Sequence, residues 1–409
     1  MLTVSEARAR ILAAVRPLGP ERLDLLAARG RVLADDLRSG RDLPPWDNSA
    51  MDGFAVRAAD CAAAGAALSV VAEIPAGRPT AVVLAAGQAA RIFTGAPMPA
   101  GADAVVMQED TDHGQPGARA DRVVVRDRVA GGDHVRRRGE DLAENARALA
   151  AGTALGPGEI GLLAALGHAR VTVHRAPRVA ILSTGDELVD VDQAPGAGQI
   201  VSSNAFALAA QAEELGVGAV VLPIARDDRD EIAARMREAL SFDAVLSSGG
   251  VSVGDHDHVK GAMGAVGLEV AFWKVAMKPG KPVAFGVLAG PEGPRPFFGL
   301  PGNSASSMVS FELFARPALR RMMGHRLADD RPRVSVRLGA AVAKAPGRAS
   351  YLRARLERHG DALVATPNAR QSSGALTSMV GADALLELPA ERGDAAAGEL
   401  VTAIVLRLP

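Results

Sequence analysis

The chain is short of cysteine, of aromatic side chains and of long apolar runs, and each shortage removes a class of protein. One cysteine, Cys61, in 409 residues excludes an internal disulfide framework and any multi-cysteine zinc or iron–sulfur site. Aromatics are 3% of the sequence, so alanine and aliphatic side chains must supply most of the core. No uninterrupted apolar segment approaches the roughly 18 residues of a membrane span. The opening MLTVSEARARIL reads as an amphipathic helix of mixed charge, without the apolar segment of a secretory signal. Neither sign of charge dominates: 46 basic residues face 47 acidic ones, a net charge of -1. That balance argues against a general nucleic-acid binder, whose affinity rests on a basic surface. The expectation is a soluble, cytoplasmic protein with neither membrane nor nucleic acid as partner.

What is present is an ordinary folding composition, 48% hydrophobic and 23% charged, in a chain long enough for roughly two to four domains. Residues 1–35 carry a helical pattern, with Val4, Ala7, Ile11 and Val15 and then Leu23, Leu25 and Leu26 as apolar stripes. Between 53 and 136 short strands are expected at Phe54–Val56, Leu68–Ala72, Ala81–Leu84, Ala104–Met107 and Arg122–Val125, closely punctuated by Gly and Pro. After Pro177 apolar strands (Val179–Leu182, Ala219–Ile224, Ala244–Leu246) alternate with helices (Ala205–Leu215, Arg229–Leu240), the pattern of a parallel sheet covered on both faces. From 333 onward alternating strands suggest a small β domain. The expected fold is therefore multidomain α/β: a central three-layer α/β domain with a mostly parallel sheet, a helical or elongated segment, an inserted β-rich domain and a C-terminal β domain. The boundaries expected are 1–40 with 137–176, 41–136, 177–328 and 329–409.

Ligands of such sheets bind at the carboxyl ends of strands. Those ends read STGDE at 183–187, RDD at 226–228 and SSGGVS at 247–252. In the loop SSGGVSVGDHD, Gly249 and Gly250 let backbone N–H groups approach an anion, and Ser248 and Ser252 add hydroxyl donors. Asp255 and Asp257 follow, and Asp186, Glu187, Asp227 and Asp228 stand on neighbouring strand ends; carboxylates so grouped repel unless a cation lies between them, which suggests Mg²⁺. A tight turn with a solvated acidic tail is the plainer alternative. In WKVAMKPGKP, Lys274, Lys278 and Lys281 fall in an ordered turn, where lysines neutralise an oxyanion or simply face solvent. GLPGNSASS at 299–307, with Pro301, Gly302 and Asn303, opens a helix whose amino end favours an anion, although Asn303 or Ser304 as a cap explains it too. DNSAMDGFAVR with Asp52 and RRRGED with Asp141 are unusual segments that alone identify no reaction. His256 and His258 lack the further ligands of a zinc site.

Taken together the chain resembles the molybdopterin molybdenumtransferases, the molybdenum insertases related to the E domain of gephyrin. The resemblance rests on seven segments in order: DNSAMDGFAVR, TGAPMP, RRRGEDL, STGDEL, SSGGVSVGDHD, FWKVAMKPGKP and GLPGN. It implies a Mg²⁺-dependent reaction on adenylylated molybdopterin and molybdate, with AMP as leaving product and molybdenum joined to the dithiolene sulfurs. It further implies that Glu187, Asp228 and Asp257 handle metal or water, and that Lys274, Lys278 and Lys281 meet molybdate or phosphate oxygens. Asp52 and Asp141 match functionally implicated acids, Thr94 falls in TGAPMP, and Arg353 and Ser373 match binding residues of the terminal domain. A homodimer with its active site in the cleft between subunits is implied, supplied by a molybdopterin adenylyltransferase as pathway partner. Ser304 stands where the family has proline, and RQSSG at 370–374 departs from a more glycine-rich pattern. The alternative readings are an adenylyltransferase, whose fold resembles residues 177–328 alone, or a non-catalytic molybdopterin-binding scaffold; tungstate is an alternative to molybdate.

Overall fold

A computed structural model describes residues 1–249, 258–288, 294–326 and 331–407, and the chain divides into two compact units. The first comprises Met1–Ala34, Gly152–Pro157 and Arg170–Pro409, the second Asp35–Ala151 and Gly158–Ala169.

The first unit begins with the helix Val4–Ala14, started by a capping box: the Glu6 amide donates to the Thr3 hydroxyl at 3.2 Å and the Thr3 amide to the Glu6 carboxylate at 2.8 Å. Val4, Ala7 and Ile11, spaced at helical intervals, are its buried stripe. The expected continuation of helical stripes to Leu26 is not what forms. Pro17, Gly19 and Pro20 stop the helix, and Pro20–Asp24 is a strand antiparallel to Arg170–His174, with Leu23 half-buried and Leu26 81% exposed. The spacing Leu23, Leu25, Leu26 mimicked a helix, but PERLD alternates and pairs accordingly.

The centre of this unit is a six-stranded sheet in the order Gly218–Val221, Arg178–Ser183, Ala244–Ser248, Arg295–Leu300, Pro282–Leu288, Glu269–Lys274. The first four strands are parallel and the last two antiparallel. Val179 and Ile181 pack with Leu208 of the helix Ser203–Glu213 on one face, while Ala180 and Leu182 meet Ile232 and Met236 of the helix Arg229–Ala239 on the other. Neighbouring residues thus face opposite helical layers, which is why the strands read as continuous apolar runs. The helix foreseen from Ala305 to Leu313 extends from Ser304 to Met322 and contains a π-helical turn at Phe311–Ala315.

Toward the carboxyl end, Ala349–His359 pairs with Ala362–Pro367, which pairs with Arg333–Leu338, then Leu400–Val405 and Ala384–Leu388, and the last returns to Ala349–His359. These five strands close on themselves as a small barrel around Val336, Leu356, Leu386 and Ala403.

In the second unit five strands form one sheet in the order Ala104–Met107, Gly53–Val56, Gln88–Ile92, Ala66–Ile74, Arg122–Val125, with apolar clusters on both faces. The strand expected at Ala81–Leu84 is absent. Only a single bridge joins Val83 to Ala100, Val83 is 70% exposed, and Pro79 and the turn at Gly87 leave too few residues to extend a ladder.

Candidate active site

In the first unit the polar loops foreseen at the strand ends do come together. Thr184 bridges Ala225 in parallel, bringing STGDE beside RDD. Gly249, at φ +91°, sits where an added Cβ would lie 3.1 Å from the Thr184 carbonyl oxygen, so glycine permits both the conformation and the close approach. The side-chain amide of Asn204, in the first turn of Ser203–Glu213, donates to the Ser248 hydroxyl at 2.9 Å and to the Gly302 carbonyl at 2.6 Å. Asn204 thereby fastens the glycine-rich loop to GLPGN. Sequence reasoning passed over it; SSN at the head of a helix was the available signal. These groups, with Glu187, line a cleft of about 70 Å³ in which Thr184 Oγ1 is buried without a hydrogen-bond partner.

The carboxylates beside that cleft are less crowded than their spacing suggested. Arg226 reaches the carbonyls of Asp186 and Leu188, each at 3.2 Å, and the Asp227 amide donates to Asp186 at 3.2 Å. Asp228 caps Arg229–Ala239, its Oδ1 accepting from the amides of Asp230 and Glu231 at 3.0 and 2.9 Å. Glu187 and Asp228 are exposed. Among the described residues no three acidic, histidine or cysteine side chains converge as a metal cage. Gly250, Ser252, Asp255, His256 and Asp257 lie outside the described residues.

The lysine-bearing turn forms a second feature. Gly280, at φ +95°, packs so closely that an added Cβ would lie 2.7 Å from Ser310 Oγ. Lys278 and Lys281, with Pro301, Asn303 and Ser373, border a cavity of about 500 Å³, to which the structure adds Arg348 and Ser306. The Ser306 amide donates to the Ser373 carbonyl at 3.2 Å, joining the GLPGN helix to the 370–374 segment. Among the described residues no carboxylate lines this cavity. Lys274, Lys278, Lys281 and Arg348 are exposed, and none has an ion-pair partner among the described residues. Lys274 ends the edge strand and does not line the cavity. Arg353 is fully buried in the wall of a neighbouring cavity. Arg348 carried no local signal, being one arginine among many.

In the second unit Asp52 Oδ1 accepts from both the amide and the hydroxyl of Thr94, each at 2.7 Å. These two bonds, the amide's first, hold the Asp52 carboxyl below its ordinary range. The arginines of RRRGED are largely structural. Arg137 pairs with Asp47 at 2.7 Å, the Arg138 amide donates to Asp47 at 2.8 Å, and the Arg138 guanidinium pairs with Asp42. Asp141 is exposed on the same turn, its amide bonded to the Leu43 carbonyl at 3.0 Å.

Fold and site together define a multidomain α/β protein with polar loops gathered at the carboxyl ends of a mostly parallel sheet. Family models agree along the chain: MoeA N-terminal region (domain I and II) at residues 2–167, a probable molybdopterin binding domain at 180–321, and MoeA C-terminal region (domain IV) at 335–406. The chain is 38% identical to molybdopterin molybdenumtransferase 2 of Mycobacterium tuberculosis, over 97% of this chain and 98% of that one. It is 36% identical to molybdopterin molybdenumtransferase of Haemophilus influenzae, covering 98% of each. A crystal structure of the molybdopterin biosynthesis moeA protein of Pyrococcus horikoshii matches with a TM-score of 0.84 at 29% identity, covering 99% of this chain and 100% of that one. The chain belongs to the molybdopterin molybdenumtransferase family, a family of transferases. Among the described residues no helix is long and apolar enough to cross a membrane.

Proposed function

We propose that this chain transfers molybdenum from molybdate to molybdopterin, acting on the adenylylated form and releasing AMP. The observation that carries the reading is the donor set of the 500 Å³ cavity: Lys278, Lys281 and Arg348 with hydroxyls from Ser306 and Ser373, and no carboxylate among the described residues. Molybdate is a tetrahedral dianion, and cations with hydroxyl donors are what its oxygens require. Lys278 and Lys281 place mobile point charges, Arg348 offers a fixed fork of donors, and Asn204 holds the loops around the phosphate end of the substrate.

Magnesium fits the carboxylates beside the cleft, because it uses one or two carboxylates with substrate phosphates and water. Glu187 and Asp228 are exposed with acceptor oxygens to spare, and Thr184 Oγ1 is a further unpartnered oxygen. Bound there, the ion would supply charge neutralisation for phosphoanhydride cleavage. Water adds to the adenylyl phosphorus, the bond to the molybdopterin phosphate breaks, and the carboxylates take up the water's proton. Asp52 and Asp141 act in this reading on the α/β domain of a second subunit in a homodimer.

The test is AMP release from adenylylated molybdopterin, with and without molybdate and Mg²⁺, on wild type and Asp228→Asn. Asparagine keeps the helix cap and removes the charge. Molybdate- and Mg²⁺-dependent release, lost in the variant, is expected. Intermediate that binds but is never cleaved under molybdate or tungstate would overturn the reading.

A further inference from the structure

A cavity of about 470 Å³ lies at the amino ends of the central strands, away from the loops described above. Arg175, just before Arg178–Ser183, Asp243, just before Ala244–Ser248, and Arg295, the first residue of Arg295–Leu300, all line it. These three strands are parallel, so their amino ends share one edge of the sheet and STGDE and GLPGN share the other. Five steps of about 3.3 Å separate Arg178 from Ser183, which puts roughly 16 Å of strand between this cavity and the cleft.

The opposite wall is the segment from Ala14 to Pro20, and it is fastened at several points. The Leu18 amide donates to the Met322 carbonyl at 2.8 Å, the Arg175 amide to the Gly19 carbonyl at 2.9 Å, and Arg321 Nε to the Val15 carbonyl at 3.2 Å. Pro17 and Pro20 fix the backbone here, and Pro294 and Pro296 do so on another wall. Such a space exists before a ligand enters, so binding orders little of the protein.

Among the described residues the lining carries three arginines, Arg16, Arg175 and Arg295, against the one carboxylate of Asp243. That carboxylate is already engaged, accepting from both terminal nitrogens of Arg175 and from the Arg178 amide, each at 2.7 Å. Arg295 is 6% exposed, and its Nε donates to the neutral Phe242 carbonyl at 2.6 Å. Arg16 is exposed and has no ion-pair partner among the described residues. The excess of positive charge favours an anion, while Asp243 disfavours one of high charge. A planar carboxylate matches the fork of a guanidinium. Pro17, Pro294, Pro296 and Met322 offer no polar side-chain group, which suits an apolar remainder.

We propose that this cavity binds a small organic monocarboxylate carried on a flat, apolar body. The carboxylate meets Arg16 in the field of Arg295, and the body lies against Pro17, Pro294 and Met322. The site stands whether or not the chain cleaves adenylylated molybdopterin, since none of its lining residues lines the cleft or the 500 Å³ cavity.

Benzoate titrated calorimetrically into the full chain tests it, beside its neutral isostere benzamide and inorganic phosphate. Benzoate should bind saturably and roughly tenfold more tightly than either, because benzamide lacks the charge and phosphate lacks the ring. Arg16→Glu reverses an exposed charge of the lining, and Ala14→Trp fills the space from the exposed end of the first helix. Each should weaken benzoate at least roughly tenfold. Lys281→Gln, in the 500 Å³ cavity, should leave benzoate binding unchanged. Circular dichroism confirms that each variant is folded. Absence of saturable benzoate binding, equal affinity for benzamide or phosphate, or loss in Lys281→Gln with Arg16→Glu unaffected would overturn the proposal.

Discussion

The side-chain nitrogen of Asn204 lies 2.6 Å from the carbonyl oxygen of Gly302, and the same nitrogen reaches Ser248 at 2.9 Å. One amide thus spans the ends of two neighbouring parallel strands, Ala244–Ser248 and Arg295–Leu300. Asn204→Asp replaces the donor by an acceptor beside a carbonyl oxygen. The two bonds together are worth about 1–3 kcal/mol. AMP release by this variant should fall at least roughly tenfold. The melting temperature, followed by circular dichroism, should drop by only a few degrees. An unchanged rate would mean that the two loops hold their places without Asn204.

Thr94 gives Asp52 two donors, so its removal reads directly on the carboxylate. Thr94→Val deletes the hydroxyl bond and keeps the amide. The Asp52 carboxyl should then titrate closer to its ordinary range, as followed by NMR of the side-chain carbon. The folded-state value is depressed in wild type, so the contribution of Asp52 to stability is present above its unfolded-state value and is lost as pH falls through the folded one. The loss of stability on acidification below the ordinary aspartate range should therefore be shallower in Thr94→Val than in wild type.

The sequence carried the elements whose pattern repeats over several residues. Val179–Leu182 reads as a buried strand because both its faces are covered, and the loops that follow it are polar because they lie where the sheet ends. Short or tertiary features left no such trace. The strand Pro20–Asp24 offers five residues, one of which, Leu23, stands at helical spacing from Leu26, and only its pairing with Arg170–His174 makes it a strand. The antiparallel edge at Glu269–Lys274 and Pro282–Leu288 brackets the lysine turn, whose prolines were legible while its flanks were not. Arg348 and Arg353 are five residues apart in one stretch of chain, yet one is exposed beside Lys281 and the other fully buried. Nothing local distinguishes them; closure of the barrel does.

Lys274, Lys278 and Lys281 look alike in sequence, and their positions separate them. Lys281→Gln and Arg348→Gln each remove a cation from the 500 Å³ cavity and should raise the dissociation constant for molybdate roughly tenfold. Lys274→Gln removes one outside the lining and should raise it less than roughly threefold. Equilibrium binding at low and high ionic strength checks both, and the affinity of wild type should fall with salt because these charges are exposed. Equal losses for all three variants would place the anion elsewhere.

Glu312 shows how the helix behind the GLPGN loop is held. It lies in the π-helical turn, its side chain is 4% exposed, and it accepts from Gln211 Nε2 at 2.9 Å and Arg331 Nε at 3.1 Å. Gln211 Nε2 also donates to the Met308 carbonyl at 3.3 Å, just before the turn, so helices Ser203–Glu213 and Ser304–Ser310 are tied where the hydrogen-bond ladder changes. Burial pulls the Arg331 guanidinium down, but the charges of Glu312 and Glu214 outweigh it, and the group ends above its ordinary value. Removing the acid leaves Glu214, at 3.0 Å, as the counter-charge of Arg331 and takes the acceptor from the Gln211 side chain. Glu312→Ala should cost about 1–3 kcal/mol of stability in urea unfolding. Glu312→Gln keeps an acceptor for Arg331 without the charge and should cost less. Because Ser304–Ser310 follows Asn303 and carries Ser306, the milder variant should also weaken molybdate binding while the protein remains folded. If Glu312→Gln loses stability but binds molybdate as wild type does, the π turn supports the core and has no part in placing the loop.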